Sequence, residues 1–154
     1  YSDDQIADPQ MVQAANIAAA DEFIQEMDGE YQASISQGGA NVSGGQKQRL
    51  SIARAIAKDP TIYLFDDSFS ALDYKTDAQV RRSLELVTKE ATVIIVAQRV
   101  STILDADNII VLEEGKVIGQ GTHQTLMTTC PVYQEIAQSQ LSAAEIERSM
   151  KGGN

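Results

Sequence analysis

The chain has 154 residues, 22 acidic and 12 basic side chains and a formal net charge of -10, with a pI near 4.4. That charge gives phosphate-backbone binding no electrostatic footing, so a DNA- or RNA-binding role is disfavoured. The single Cys130 allows no internal disulfide, no charged-then-apolar secretion signal opens the sequence, and the most apolar stretch, 91–97, is far short of the roughly 20 residues that cross a bilayer. The chain therefore reads as soluble and cytosolic, with no direct membrane insertion, and its length suits one domain with a fair core.

In chain order, Asp8 as cap and Pro9 in the first turn predict a helix through about Ala19. Residues 21–27 continue or restart it, with Phe23 and Ile24 on the apolar face. Gly29 breaks the helix, and 28–42, rich in Gly, Ser and Gln, reads as loop. The next helix must stop at Lys58-Asp59-Pro60 and has Leu50, Ala53, Ile56 and Ala57 as its buried stripe. A strand covers 61–66. Thr76 and Gln79 have capping-box spacing and predict a helix to about Lys89, with Val80, Leu84 and Val87 facing inward. Residues 91–97 are continuously apolar and rich in β-branched side chains, as expected for a parallel strand covered on both faces. A third strand, 108–112, turns at Glu113-Glu114-Gly115 into 116–121 to form a hairpin. Thr122 caps a short helix, Pro131 opens another, and the tail from Ser139 is polar, its Gly152-Gly153 expected to fray. Strands alternating with helices predict an α/β fold with a mostly parallel sheet and functional groups at the strands' carboxyl ends. Asp66, Asp67 and Gln98 fall there.

The most informative segment is Asn41-Val42-Ser43-Gly44-Gly45-Gln46-Lys47-Gln48-Arg49-Leu50. Ser43 and Gln46 have the spacing of a capping box, in which the serine caps free backbone N–H groups and the glutamine reaches back. Gly44 and Gly45 fill the first turn, so a phosphate can approach the N–H groups and the positive end of the helix dipole. Downstream, Thr61-Ile62-Tyr63-Leu64-Phe65 is an apolar run ending in Asp66 and Asp67, and Ser70-Ala71-Leu72-Asp73 follows. In this order and spacing the three segments resemble the signature, Walker B strand and D-loop of ABC transporter nucleotide-binding domains of the exporter branch, a resemblance covering nearly the whole chain.

The resemblance implies part of a P-loop NTPase (RecA-like) core: a helical subdomain with the signature over 1–58, the carboxyl part of the ATPase core over 59–138, and a polar tail over 139–154. It implies ATP and Mg2+ as cofactors, with Ser43, Gly44, Gly45 and Gln46 on the nucleotide and Asp66 holding Mg2+ through water. Ser70, Ala71, Leu72 and Asp73 would cross towards a second nucleotide-binding domain paired head to tail. Gln37, Gly38 and Gly39 resemble the loop that touches the coupling helices of the membrane domain, although the family often has an acid where Gln37 stands. Arg49, Arg54 and Arg99 receive no catalytic part.

Two positions depart from the family pattern. Asp67 stands where hydrolytic members usually have Glu; its carboxylate is one methylene short, and a displacement of about 1 Å costs on the order of a hundredfold in rate. Gln98 stands where the switch histidine would be, and an amide neither becomes a cation nor shuttles a proton. His123, the one histidine, is expected to be a surface residue at a helix start. The pattern resembles the impaired partner of a heterodimeric exporter, which lends an intact signature to the other site. No Gly-x-x-x-x-Gly-Lys-Ser/Thr loop, aromatic A-loop or Gln loop occurs in the 154 residues. The chain is therefore expected to be part of a longer polypeptide with a membrane domain upstream, at the cytoplasmic face of the membrane, and to be inactive alone. The phosphate-loop strand of the related fold lies between strands 91–97 and 108–112, so its absence is expected to leave an open sheet edge. A soluble ABC-type ATPase and a nucleotide-dependent dimerisation or regulatory module are the alternatives; the cargo, whether drug, lipid or peptide, is not readable.

Overall fold

Small side chains at helical spacing, Ala14, Ala15 and Ala18, let helix α1 (Asp8–Ile17) lie close to the long helix α3 (Gly44–Ile56). The computed structural model describes residues 6–151, and its contacts divide them into two units, Tyr1–Val96 and Ala97–Asn154.

The first unit begins with α1, whose N-cap is Ala7 and not Asp8. Asp8 lies inside the first turn beside Pro9 and acts there by charge on the helix dipole, not by a capping bond. Ala19, left-handed at φ 52°, separates α1 from α2 (Asp21–Gln25), which buries Phe23 and Ile24 as expected. The loop that follows contains two 3-10 turns, Glu30–Gln32 and Gln37–Gly39. Along α3 the deepest residue is Ile52, 1% exposed, with Ile56 and Ala57; Leu50 and Ala53 of the expected stripe are only half-buried. The inward row is therefore Ile52 and Ile56, four residues apart on one face.

Strands β1 (Ile62–Asp66) and β2 (Thr92–Val96) pair in parallel, from Ile62 opposite Thr92 to Asp66 opposite Val96. Tyr63 and Phe65 point into the core, where their rings stack at 5.9 Å and Phe69 adds a tilted contact to Phe65 at 5.5 Å. The opposite face stays exposed: Ile62, Leu64, Ile94 and Val96. Strand β2 is thus not covered on both faces, as its apolar run suggested, because the helices of this unit pack on one face of the pair. Helix α4 (Tyr74–Val87) is capped by Asp73 and not by Thr76. Asp73 accepts from the amides of Lys75 and Thr76 and from the Thr76 hydroxyl, which places Thr76 inside the first turn. Val80 and Leu84 are buried, but Val87 is exposed and Thr88 takes the inward position, its hydroxyl donating to the Leu84 carbonyl. Asp77, also buried on α4, pairs with Arg81 one turn later at 3.1 Å. Core residues from α1, α2, α3, β1 and α4 form one cluster, and the boundary read from sequence at 58/59 runs through it.

In the second unit β3 (Ile109–Glu113) and β4 (Lys116–Gly121) form the expected antiparallel hairpin. Its two turn residues, Glu114 and Gly115, have φ of 48° and 76°, as the tight primed hairpin turns require. Strands β2 and β3 belong to separate two-stranded sheets. Helices α5 (His123–Thr129), α6 (Pro131–Gln140) and α7 (Ala143–Lys151) follow. Thr122 caps α5 and Pro131 starts α6, as expected. The tail expected to be polar holds α7, opened by a Ser142/Glu145 pair with capping-box bonds; Gly152-Gly153 lies outside the described residues. Gly119 lets β4 touch the helices: a Cβ there would stand 2.8 Å from Cys130 Sγ and 3.0 Å from a Leu126 methyl.

His123 is fully buried, not a surface residue. Its ring lies between the Tyr133 hydroxyl and Ser149 Oγ, each 2.9 Å away. Ser149 Oγ donates to the Ile146 carbonyl, so His123 Nε2–H donates to Ser149 and Nδ1 accepts from Tyr133, a neutral tautomer assigned by the network. Burial pushes the His123 pKa below its usual value, against a raising effect of Asp105, and burial pushes Tyr133 up to about 12, keeping its proton for Nδ1. The unfolded chain, with a histidine pKa near ~6.5, binds more protons than the folded one just below that pH. Stability is therefore expected to be full above about pH 6.5 and to fall as pH drops towards the lowered folded value. Urea unfolding at pH 7.5 and 5.5 should show this loss, and His123→Gln should flatten it.

Candidate functional site

The first turn of α3 carries both halves of its capping box: the Gln46 amide donates to Ser43 Oγ at 3.2 Å and the Ser43 amide to Gln46 Oε1 at 2.8 Å. Ser43 and Gly44 are exposed. Gly45 is half-buried, and a Cβ on it would stand 3.0 Å from the Ala71 carbonyl oxygen. Gly44 is looser, with the Ala71 Cβ at 3.8 Å. The structure thus seats Ser70, Ala71 and Leu72 against the signature turn of the same chain. The absence of a Cβ at Gly45 is what leaves room for this loop.

Gln48, one turn along α3, completes the contact. Its Nε2 donates to the Asp67 carbonyl at 3.1 Å and Ser70 Oγ at 3.0 Å, and its Oε1 accepts from the Ala71 amide at 2.8 Å. Sequence reasoning passed over Gln48; its place on the face of Gly44 and Gly45, at helical spacing, was the available signal. Asp73, at the loop's end, caps α4, and the Thr76 hydroxyl holds its carboxyl below the usual range.

Asp66 and Asp67 stand exposed at the carboxyl end of β1. Asp67 has a left-handed backbone, φ 48°, which Asp tolerates better than most residues. Its amide donates to the Val96 carbonyl at 3.0 Å, and its own carbonyl also accepts from Ser70 Oγ at 3.0 Å. Asp66 and Ser68 border an open groove of about 630 Å³ beside Arg54 of α3 and Lys58 just past its end. Among the described residues no group of three or more His, Cys, Asp or Glu gathers to hold a metal. The pair Asp66 and Asp67 nevertheless offers the hard oxygen donors that fit Mg2+, which commonly takes one or two carboxylates together with substrate phosphates and water.

Gln98 lies in the second unit, exposed, two residues beyond β2. Its carbonyl accepts from Gln140 Nε2 at 2.9 Å, while the Val100 amide donates to Gln140 Oε1 at 2.8 Å. Gln140, far along the sequence on α6, therefore fixes the backbone at 98–100; no local signal marks it. Gln37, Gly38 and Gly39 form a 3-10 turn with φ of 72° and 66° at the glycines. Gly39 is buried, and a Cβ on it would stand 2.8 Å from Lys47 Cε. Asn41 Oδ1 accepts from the Ser36 amide and hydroxyl, both at 3.0 Å, and Nδ2 donates to the Ser34 carbonyl at 2.9 Å, closing this loop just before the signature. Arg49 serves packing: Nη1 donates to the Ala19 carbonyl at 2.7 Å and its guanidinium lies 4.7 Å over the Phe23 ring.

Residues 3–70 match the family described as ABC transporter, and an ABC transporter ATP-binding protein of Mycobacterium tuberculosis is 50% identical over 144 residues. The chain belongs to the ABC transporter family. That relative covers 94% of this chain, which spans 24% of its length. The alpha-hemolysin translocation ATP-binding protein of Escherichia coli is 43% identical over 118 residues, 77% of this chain and 17% of the relative. The solved structure of a bacterial Atm1-family ABC exporter with ATP bound superposes with a TM-score of 0.86 at 36% identity, over 90% of this chain and 24% of that one. The α/β fold is that of the ABC ATPase. Among the described residues no helix is long and apolar enough to cross a membrane.

The different room around the two glycines is measurable. Replacing Gly by Ala in a helix commonly stabilises by about 0.5–1 kcal/mol. Gly44→Ala should keep part of that gain, whereas Gly45→Ala, which must push the Ala71 carbonyl aside, should lose it. Equal unfolding midpoints in urea would contradict the contact.

Proposed function

We propose that this segment is the ATP-binding part of an ABC exporter, contributing signature, Walker B strand and switch region to ATP-driven transport, with its own hydrolytic site impaired. The observation that carries the reading is the capped, glycine-lined start of α3, with Ser43 and Gly44 exposed and the Ser70–Asp73 loop seated beside them.

In this reading Gly44 and Gly45 present their backbone N–H groups and the positive helix end to the γ-phosphate of an ATP bound by a second nucleotide-binding domain, while Ser43 and Gln46, their own amides bonded to each other's side chains, border the same phosphate with their side chains. Ser70, Ala71, Leu72 and Asp73 face that partner domain. Asp66 would hold Mg2+ through water, the ion neutralising charge on the phosphates when bound. Asp67 occupies the general-base position with too short a reach, and Gln98 occupies the switch position without a titratable ring. The membrane domain lies upstream in the same polypeptide, and Gln37, Gly38 and Gly39 meet its coupling helices at the cytoplasmic face. The partner is a different subunit with an intact hydrolytic site. Asp67 and Gln98 equally favour a second reading, a regulatory module in which nucleotide joins two subunits without turnover at this site.

Two measurements test this. In the full-length heterodimer, with the partner's site disabled, Asp67→Glu combined with Gln98→His should raise ATP turnover at this chain's site by roughly ten- to a hundredfold; unchanged turnover sinks the impaired-site reading. Calorimetric titration of the 154-residue chain with Mg-ATP should show no saturable binding at high micromolar nucleotide, since the phosphate cradle is supplied from outside these residues. Tight binding would mean that a cradle exists within them.

A further inference from the structure

We propose that Gln48 is a positioning residue: it locks the D-loop, and with it the backbone of Asp67, to the signature helix of the same chain. The inference rests on the reading that this domain closes on ATP with a partner.

The Gln48 carboxamide has two N–H donors and one carbonyl acceptor. All three engage a five-residue stretch, reaching the Asp67 carbonyl, Ser70 Oγ and the Ala71 amide at 2.8 to 3.1 Å. A glutamine on a helix flank ordinarily keeps such bonds with water and its torsions free. Here the side chain is frozen across a gap between two elements 19 to 23 positions apart in sequence. Gly44, Gly45 and Gln48 share one face of α3, so the glycines form a notch and the amide its far wall. Ala71 seats in the notch, with its oxygen 3.0 Å from where a Gly45 Cβ would be.

The lock acts on the part of the site most easily misplaced. Asp67 is held at φ 48°, and its peptide is fixed from two sides, by Val96 through the amide and by Gln48 and Ser70 through the carbonyl. Without Gln48 the Ala71 amide loses its partner and the Asp67 carbonyl loses one of its donors, so the loop can relax away from α3. The capping box of Ser43 and Gln46 shares none of these bonds. Loss of Gln48 should therefore leave nucleotide capture by the signature intact and disturb the geometry of turnover. A residue needed only for folding would not separate the two.

The test uses Gln48→Met, of equal length without the amide, and Gln48→Glu, which keeps the acceptor for Ala71 and loses both donors. Hydrogen–deuterium exchange of the 154-residue chain should show faster exchange at the Ala71 amide in Gln48→Met, with exchange in α1 and the thermal midpoint unchanged. In the full-length transporter, whose turnover falls at the partner's site that the Ser70–Asp73 loop faces, Gln48→Met should lower kcat by about tenfold or more, as small misplacements near a reacting centre do, with KM for ATP within about twofold. Gln48→Glu should restore slow exchange at Ala71 but not kcat. Unchanged exchange at Ala71, or faster exchange with unchanged kcat, overturns the proposal; so does a kcat loss matched by a general fall in the thermal midpoint. If the wild-type transporter neither binds nor hydrolyses ATP, the exporter reading fails instead, and exchange at Ala71 alone decides whether Gln48 holds the loop.

Discussion

A helix must satisfy the free N–H groups of its first turn, and at the start of α3 it does so while leaving room for a neighbour on either side. The Ser43 and Gln46 side chains bond reciprocally to each other's amides, which fixes the direction in which the helix starts without placing bulk over it. Gly44 and Gly45 keep the turn thin. On one side that thinness exposes backbone donors; on the other it admits the Ala71 carbonyl. From this contact the order of the first unit propagates along the chain. Ala71 is held by Gln48, Asp73 two residues later caps α4, and α4 buries Val80 and Leu84 in the cluster that also takes Ile52 and Ile56 of α3. The exposed first turn of α3 and the helix that supports the core are thus ends of one short, continuous set of bonds.

The second unit reaches similar order by different means. Its core is small, and the most demanding member is His123, which is accommodated because Tyr133 and Ser149 meet both ring nitrogens. A buried imidazole left with one nitrogen unmet would be costly. The partners come from α6 and α7, so this one ring gathers three helices behind the β3–β4 hairpin. Gly119 and Cys130 close the remaining gap where strand and helix touch. Gln140 then reaches from α6 to the backbone at 98–100, fixing the segment that carries Gln98.

The chemistry at β1 follows from where the strand stops. Paired in register with β2 up to Asp66 and Val96, the chain leaves the sheet through a left-handed Asp67 and turns directly into the loop beside α3. Two carboxylates are thereby presented at a strand's carboxyl end, within a turn whose backbone is fixed by hydrogen bonds to β2 and α3. With the backbone of this turn so held, the length of the Asp67 side chain sets how far its carboxylate reaches.

The sequence by itself determined the local grammar of this protein. Ser43 with Gln46 specified a capped helix, Thr122 and Pro131 marked later helix starts, Glu114-Gly115 marked a hairpin, and the order of signature, Walker B strand and D-loop carried the family. These signals act over a few residues and need no tertiary partner. What the tertiary structure decided were the contacts between residues far apart in sequence and the burial that follows from them. Asp73 displaced Thr76 as a cap because its carboxylate reaches two amides and a hydroxyl at once. His123 moved from an expected surface to the core because α6 and α7 supply partners that no local window contains, and the second of these helices stood in a tail read only as polar. Strand β2, apolar throughout, left one face open because the unit's helices gather on the other. Gln48 and Gln140 look like ordinary polar helix residues in sequence, and only the folded chain brings their amides to the backbone of Asp67, Ala71 and Gln98. Hydrogen bonds of that kind depend on distance in space, which a linear pattern does not record.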